Sequence, residues 1–305
     1  MSEIIRTHGL KKEYKNEIAV KHLDFVLQSG EICAFIGKNG AGKSTFFKML
    51  SGQIQPTTGE LQLFGMTDKD LLDARKKFGF MIEEPQFFMD FTAKQNLEYF
   101  RIQRGVPSKE RINEVLEIVG LADQPKKKFK EYSMGMKQRL GLALCLLSSP
   151  DCLVLDEPTN GLDAQGINEI RQLLITLNQE RHITILISSH ILSELKLVAT
   201  RFVFVNHGEI VEDLNADALH QKSKQQLRIH LDQVSKAAQL LEVAFSDIDY
   251  QVLPDDWLVL YNHIEDSAAI NSLLNNHQLS IYEFQIAEVS LENYFLELIG
   301  QEELK

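Results

Sequence analysis

The sequence has few cysteines and no long hydrophobic run. Three cysteines occur in 305 residues, Cys33, Cys145 and Cys152, each inside an apolar stretch and none within a Cys-x-x-Cys pair. This spacing argues against a disulfide framework or a zinc site, and buried thiols are typical of a reducing compartment. The apolar runs fall well short of the roughly 18 residues that a membrane-spanning helix needs, and the N-terminus lacks a signal-peptide pattern. We therefore expect a cytosolic protein.

Positive charge is also scarce. The chain has 32 Lys and Arg against 43 Asp and Glu, which gives a formal net charge of −11. Such a chain has little general attraction to phosphate backbones, so we expect no nucleic-acid partner. Apolar residues at 44% and charged residues at 25% are ordinary for a globular protein that buries a core. The length suits one large domain plus a small one.

Apolar strands alternate with helical segments through the first two thirds of the chain. Buried strands are predicted at 31–36, 152–155 and 183–188, and the residues from 68 to 150 are mostly helical in pattern. This alternation predicts an α/β fold with a largely parallel sheet covered on both faces. The composition changes near residue 215. We predict a large domain over 1–220 and a small C-terminal α+β domain over 224–305.

A glycine-rich turn follows the first buried strand and leads into a helix. It reads Gly37-Lys38-Asn39-Gly40-Ala41-Gly42-Lys43-Ser44-Thr45 and fits the pattern G-x-x-x-x-G-K-[ST]. Glycines let the backbone amides wrap around phosphates, and the positive end of the following helix attracts the anion. Lys43 would reach the β- and γ-phosphates as a point charge, and the Ser44 hydroxyl is placed to bind Mg²⁺. The segment predicts a nucleotide-phosphate site, but by itself it does not indicate transport.

Two adjacent acids, Asp156 and Glu157, end the apolar strand at 152–155. In a phosphoryl-transfer site, Asp156 can hold Mg²⁺ directly or through water, and Glu157 can polarise the attacking water as a general base. A plain strand-to-loop junction is the alternative when the pair is considered alone. The phosphate-binding loop favours the catalytic interpretation.

Further motifs carry a family resemblance. Tyr132-Ser133-Met134-Gly135-Met136-Lys137-Gln138-Arg139 resembles the signature sequence LSGGQ-x-QR of ABC ATPases, and matches it at Ser133, Gly135, Gln138 and Arg139. Asn160-Gly161-Leu162-Asp163 resembles the family's D-loop, and Ser188-Ser189-His190 resembles its switch-histidine motif. Tyr14 lies where the family places an aromatic side chain that stacks on adenine. Together the motifs follow the family's order over about residues 4 to 215.

The resemblance implies a P-loop NTPase fold of the ABC cassette type. Such a cassette has a mostly parallel sheet core, additional antiparallel strands and a helical subdomain, here at about 86–150. The resemblance implies ATP and Mg²⁺ as cofactors, with two cassettes enclosing two MgATP between the phosphate loop of one and Ser133 and Gly135 of the other. His190 would hydrogen-bond the γ-phosphate. Because both halves of this composite site are present, we expect a homodimer.

Single residues in these motifs have simpler interpretations. Ser133 and His190 would each serve as a helix cap, which is a common role of polar residues at such positions. Tyr14 would be a half-buried tyrosine of the core. The order of the motifs along the chain, rather than any one residue, favours the ATPase interpretation.

One position departs from the family pattern. The family usually has Gln after the fourth strand, where it contacts Mg²⁺, and here Gly79-Phe80-Met81-Ile82-Glu83-Glu84-Pro85 places Glu83 there. A glutamate can still bind the metal or a water, but it adds negative charge near the phosphates. This variant, together with the Ser-x-Gly-Met-Lys-Gln-Arg pattern, resembles the ATPases of bacitracin- and lantibiotic-type exporters. The resemblance therefore implies a bacterial resistance or immunity pump.

Aromatic residues follow this position: Phe87, Phe88, Phe91, Tyr99 and Phe100. They would form either a groove that receives a helix of a membrane-spanning permease subunit or the core of the helical subdomain. If the resemblance holds, the chain is a peripheral protein on the inner face of the cell membrane.

Two other functions compete with transport. A soluble ABC-type ATPase acting on ribosomes or DNA is disfavoured by the single cassette, the absence of a long coiled-coil insertion and the lack of a basic surplus. An unrelated kinase with a phosphate-binding loop would have no use for the motif at 132–139 or for His190.

Overall fold

A computed structural model of the chain describes residues 2–15, 17–83, 86–189, 192–222 and 225–288, and also 294, 295 and 298. The chain divides into two compact units, Met1–Ala216 and Asp217–Lys305. Within the described residues, no helix is both long and apolar enough to cross a membrane.

The first unit is built on a nine-stranded sheet in the order β4-β1-β2-β9-β8-β3-β7-β6-β5. Its strands are β1 (Glu3–Tyr14), β2 (Glu17–Gln28), β3 (Ile32–Ile36), β4 (Thr58–Leu63), β5 (Phe78–Met81), β6 (Cys152–Asp156), β7 (Thr184–Ser188), β8 (Arg201–Asn206) and β9 (Glu209–Asn215). Strands β8, β3, β7, β6 and β5 run parallel, whereas β1 pairs antiparallel with β2 and β4, and β8 with β9. The predicted parallel core with additional antiparallel strands is therefore confirmed.

The helices of this unit lie between the parallel strands in sequence. They are α1 (Lys43–Ser51), α2 (Leu71–Arg75), α3 (Ala93–Gln103), α4 (Glu110–Ile118), α5 (Met134–Leu146), α6 (Ala164–Arg181) and α7 (Leu192–Leu195); α8 (Ala216–Lys222) begins at the boundary between the units. Side chains define several helix starts: Thr92 and Gln95 form a capping box at α3, and Asp163 accepts a hydrogen bond from the Gly166 amide at α6.

Aromatic packing fixes the strand and helix that flank the glycine-rich turn. All five residues of β3 are buried, as expected for a strand covered on both faces. The rings of Phe35 on β3 and Phe46 on α1 are stacked with centroids 5.1 Å apart, and Phe25 contacts Phe46 edge-on. Burying one such ring contributes roughly 1.5–3 kcal/mol. The start of α1 is therefore held firmly against the sheet.

The second unit has its own core. Its strands β10 (Gln225–Leu231), β11 (Tyr250–Leu253), β12 (Trp257–Leu260) and β13 (Ile281–Glu288) form an antiparallel sheet in the order β11-β12-β10-β13. Helices α9 (Val234–Ala244) and α10 (Ser267–Asn276) pack on alternate apolar residues of the strands, such as Leu227, Ile229 and Leu258. This connectivity is the βαββαβ pattern of ferredoxin-like folds.

The small antiparallel-sheet unit confirms the α+β class predicted for the C-terminal part. The domain boundaries, 1–220 and 224–305, stay a prediction. The apolar stripe of Leu291, Tyr294, Phe295 and Leu298 predicts a last helix at 290–299, and most of the residues 290–299 lie outside the described ones.

We predict that the three cysteines are unreactive in the folded protein. All three are buried, and burial raises the pKa of each thiol, that of Cys145 to about 12. At pH 8 the reactive thiolate of Cys145 is then a fraction on the order of one in ten thousand. Labelling with a thiol reagent should be slow in buffer and complete after denaturation in guanidinium chloride. Rapid native labelling would contradict the burial of these residues.

Candidate functional site: a phosphate-binding loop facing two carboxylates

The glycine-rich turn lies against the backbone of neighbouring strands. Gly42 has φ of 101° directly before α1, and a Cβ at this position would come within 2.4 Å of the carbonyl oxygen of Ala19. A Cβ on Gly37 would be 2.6 Å from the carbonyl oxygen of Val205. Only glycine fits at these two positions, so the sequence pattern follows from the close packing of backbone on backbone.

Lys43 folds back over this turn. Its Nζ donates hydrogen bonds to the carbonyl oxygens of Gly37 at 2.7 Å and Lys38 at 3.2 Å. Burial lowers the pKa of the Lys43 ammonium, while the carboxylates of Glu157 and Asp156 act in the opposite direction. The Lys43 ammonium therefore lies near both carboxylates, next to the glycine-rich turn.

A cavity of about 590 Å³ opens in front of the turn. It is lined by Tyr14, Glu17, Ala19, Asn39, Gly40, Ala41, Gly42, Lys43, Ser44, Thr45, Glu157 and Asn160. Tyr14 is 46% exposed and lies at the edge of the cavity, with Lys12 over its ring. Tyr14 therefore lies outside the buried core, and stacking of its ring on adenine stays a prediction.

The two acids are held by the neighbouring strand. The Ser188 hydroxyl at the end of β7 donates to Asp156 Oδ1 at 2.6 Å, and the Glu157 amide donates to Ser188 Oγ at 3.0 Å. Glu157 has φ of 53°, in the left-handed region that non-glycine residues seldom adopt. A residue in this conformation is held by its surroundings and often belongs to a functional site.

The signature-like motif begins helix α5. Ser133 is the N-cap residue, and its Oγ accepts a hydrogen bond from the Met136 amide at 3.3 Å. Ser133 is exposed, and neither it nor Gly135 is among the residues that line the cavity in front of the phosphate loop. Met134 and Gln138 of the motif line a smaller neighbouring cavity that also contains Asp156 and Glu157. In this single chain helix α5 therefore begins beside the two acids, and Ser133 and Gly135 do not line the cavity of the phosphate loop.

Glu83 lies on a second, smaller cavity of about 380 Å³. This cavity is lined by Met81, Glu83, Met134, Gln138, Asp156, Glu157, Asn160 and Gly161. The Glu83 carboxylate is paired with Lys48 Nζ, on the last turn of α1, at 2.5 Å. Glu83 is therefore brought to the same edge of the sheet as Asp156 and Glu157. His190 lies outside the described residues.

The surroundings of the acids suit a hard metal ion. Among the described residues, no group of three or more His, Cys, Asp or Glu could hold a metal by itself. Mg²⁺ usually takes one or two carboxylates, with waters and substrate phosphates completing its shell. Ser188 occupies one oxygen of Asp156 and leaves the other for a ligand role, and Ser44 is exposed at the start of α1. The oxygen donors present fit Mg²⁺ bound together with a nucleotide.

A larger cavity, about 840 Å³, lies away from this site. It contains Arg75, Arg104 and Arg111, but these guanidinium groups are used as helix caps. Arg104 donates to the carbonyl oxygen of Leu144 and Arg111 to that of Leu146, both at 2.7 Å, and Arg75 donates to that of Leu50. The phosphate-binding loop does not border this cavity, and its three arginines bond to backbone carbonyl groups at the ends of α1 and α5.

Comparison with known proteins identifies the family. The ABC transporter family model matches residues 20–160. The chain is 40% identical over 301 residues to the bacitracin transport ATP-binding protein BcrA of Bacillus licheniformis, covering 98% of each chain. The chain belongs to the ABC transporter ATP-binding proteins. As such it binds ATP and is an ATPase.

Two further relatives are consistent with this assignment. The lantibiotic transport ATP-binding protein SrtF of Streptococcus pyogenes is 38% identical over 216 residues, which cover 70% of this chain and 92% of SrtF. The dimeric post-hydrolysis structure of the ATP-binding cassette MJ0796 bound to ADP and Pi aligns with a TM-score of 0.64 at 25% identity, over 70% of this chain and 99% of that one. The predicted resemblance to bacitracin- and lantibiotic-type transport ATPases is confirmed.

Two residues of this site were not predicted as functional from the sequence. Ser188 was recognised only as part of the segment before His190, and its contacts with both acids depend on strand register. Lys48 is one of many helix lysines, and nothing in its local sequence indicates that it pairs with Glu83.

We predict that Ser188→Ala lowers the ATPase kcat on the order of tenfold while ATP affinity changes little. Without the hydroxyl, the Asp156 carboxylate and the Glu157 amide each lose a bond that holds them in place, and small misplacements of catalytic groups are costly. Steady-state kinetics with a nucleotide-binding assay would check this. The matched control is Ser272→Ala, which removes an exposed hydroxyl bonded to a carbonyl in α10. An unchanged kcat for Ser188→Ala would contradict a positioning role.

Proposed function

We propose that this ABC ATPase uses Mg²⁺ with ATP and hydrolyses it at the cavity in front of the phosphate loop. The observation that carries the proposal is the shared cavity of the loop residues Asn39–Thr45 and Glu157. The amides of Gly37, Asn39, Gly40, Ala41, Gly42 and Thr45, with Lys43, hold the phosphates, and Tyr14 stacks on the adenine. Ser44 and Asp156 hold Mg²⁺, with Glu83 as an additional ligand.

Glu157 is the general base in this proposal. Its carboxylate accepts the proton of the attacking water while Lys43 stabilises the phosphate oxygens. Mg²⁺, when bound, supplies positive charge that neutralises the phosphoryl oxygens. His190 contributes a hydrogen bond to the γ-phosphate.

We also propose a homodimer in which Ser133 and Gly135 of one chain complete the site of the other. Their position outside their own chain's nucleotide cavity supports this arrangement, because the positive end of α5 is then open to the phosphates of a nucleotide bound by a second chain. The dimeric MJ0796 cassette is a further argument, as a relative of the same fold.

The transport role proposed is export of a peptide antibiotic by a bacterial resistance or immunity pump. It rests on the names of relatives such as the bacitracin transport protein BcrA, which align over nearly the whole chain. The alternative, a soluble ATPase acting on ribosomes or DNA, is not favoured by these relatives or by the net charge of −11. The residues 1–220 would form the cassette, with a helical subdomain at about 86–150, and 224–305 an accessory domain.

A membrane-spanning permease subunit is the proposed partner, which would place this chain on the inner face of the cell membrane. The aromatic residues after Glu83 divide into two groups. Phe87 is buried against Phe100 and Phe129, whereas Phe88, Phe91 and Tyr99 are 44%, 39% and 46% exposed and contact one another or their neighbours. The exposed group forms the surface that would receive a permease helix.

We predict that Glu157→Gln binds ATP but loses most of its hydrolysis, by at least roughly a hundredfold in kcat, because amides cannot accept the proton. The variant should accumulate as an ATP-bound dimer, seen by size-exclusion chromatography with light scattering. Lys43→Ala serves as the comparison, since it should lose tight nucleotide binding and remain monomeric. Equal turnover in Glu157→Gln and the parent would remove Glu157 from the role of base.

We predict that Tyr99→Ala weakens recovery of a multi-span membrane protein when the tagged chain is isolated from its own membranes in mild detergent. The side chain is part of the exposed aromatic surface and does not line the cavity in front of the phosphate loop, so ATP affinity should be unchanged. Tyr282→Ala, which removes an exposed tyrosine of the second unit, is the control; Tyr282 is 62% exposed and Tyr99 46%. Recovery of ribosomal or DNA-bound material instead of a membrane protein would overturn the transport proposal.

A further inference from the structure

Glu83 has a specific partner, Lys48. The two side chains form an ion pair in which Lys48 Nζ lies 2.5 Å from Glu83 Oε1. Lys48 belongs to the helix that starts at the phosphate loop, and Glu83 follows the edge strand β5. The pair therefore joins the loop's own helix to the segment that carries the extra carboxylate.

Helix geometry places this pair close to the proposed metal site. Lys48 is four residues after Ser44 in α1, so both lie on the same face of the helix, about 6 Å apart along its axis. Glu83 also shares a cavity with Asp156 and Glu157. Its carboxylate is thus tied through Lys48 to the helix that carries the hydroxyl proposed to bind Mg²⁺.

Charge explains why a partner is needed. Three carboxylates, Glu83, Asp156 and Glu157, lie around one cavity that would face an anionic nucleotide. A glutamine at position 83 would add no charge, whereas a glutamate repels the phosphates unless a cation compensates it. Lys48 supplies that cation within contact distance.

The ion pair between Lys48 and Glu83 can also be broken at low energetic cost. The Lys48 and Glu83 side chains are 31% and 69% exposed, and ion pairs in contact with water contribute little to stability. The backbone of Glu83 lies in the left-handed region, with φ of 66°, which fixes the direction from which its side chain leaves the chain. A divalent cation nearby can therefore compete with Lys48 for this carboxylate at small cost.

We propose that Lys48 is a positioning residue that competes with Mg²⁺ for the Glu83 carboxylate, so that Glu83 joins the metal only after it leaves Lys48. The inference rests on the proposed placement of Mg²⁺ at Ser44 and Asp156. Lys48 cancels the charge of Glu83 before nucleotide arrives and limits how strongly the bound nucleotide retains its metal.

The test is a binding measurement on the full chain with a non-hydrolysable fluorescent ATP analogue. Its Kd is measured in EDTA and in saturating Mg²⁺, and the ratio of the two gives the enhancement of binding by the metal. Lys48→Met should raise this ratio roughly three- to tenfold, because free Glu83 binds the metal and the unpaired carboxylate repels the metal-free nucleotide. Lys48→Arg, which keeps the charge, should stay close to the parent.

Glu83→Gln separates the proposal from a simple charge effect. In this background Lys48→Met should change the ratio by no more than about twofold, since only a distant charge is lost. An equal rise in the parent and Glu83→Gln backgrounds would show that Lys48 acts only as a distant charge, and would overturn the proposal. So would an unchanged ratio in Lys48→Met with Glu83 present.

The same experiment distinguishes a wrong placement of Mg²⁺ from a wrong role for Lys48. If the parent chain binds the analogue equally well in EDTA and in Mg²⁺, the placement of Mg²⁺ fails and the inference with it. If the parent shows metal enhancement and the four variants do not differ as described, only the role of Lys48 fails.

Discussion

The register of three neighbouring parallel strands governs this site. Ser188 pairs with Phe35 of β3 on one side and with Asp156 of β6 on the other. Strand pairing therefore aligns three residues side by side: Phe35 near the end of the strand before the phosphate loop, Ser188 with its hydroxyl, and Asp156, the first of the two acids. Because side chains alternate along a strand, a slip of one residue in β6 would turn Asp156 to the opposite face. The geometry of the candidate site thus depends on backbone hydrogen bonds between buried strands.

The parts of the site that are local in sequence could be predicted, and those that depend on pairing between distant segments could not. The phosphate loop is recognisable because Gly37 and Gly42 meet backbone that leaves no room for a Cβ. The acids Asp156 and Glu157 stand out because charge ends an apolar strand. Ser188 and Lys48, by contrast, reach their partners over separations of 32 and 35 residues. The fold class followed from the alternation of strands and helices, but the place of each strand in the sheet did not.

The carboxylate at position 83, where the family pattern has glutamine, changes the electrostatic balance of this site. The cavity that contains Glu83, Asp156 and Glu157 carries negative charge, although the ATP that the protein binds is itself an anion. Burial lowers the pKa of the Lys43 ammonium. Two cations of the same helix, Lys43 at the start of α1 and Lys48 in its last turn, partly neutralise this negative charge. Helix α1 thus presents backbone amides at its N-terminal end and a lysine side chain in its last turn. Both face the edge of the sheet where Asp156 and Glu157 lie.

The two arginine caps on α5 have a mechanical consequence. Arg104 follows α3 and Arg111 belongs to α4, yet both hold carbonyl groups at the C-terminal end of α5. This helix has 13 residues and so extends about 20 Å from those caps to Ser133. These hydrogen bonds tie the C-terminal end of α5 to the elements that carry the two arginines. A movement of α3 and α4 would therefore carry α5 with them and shift Ser133 at its opposite end.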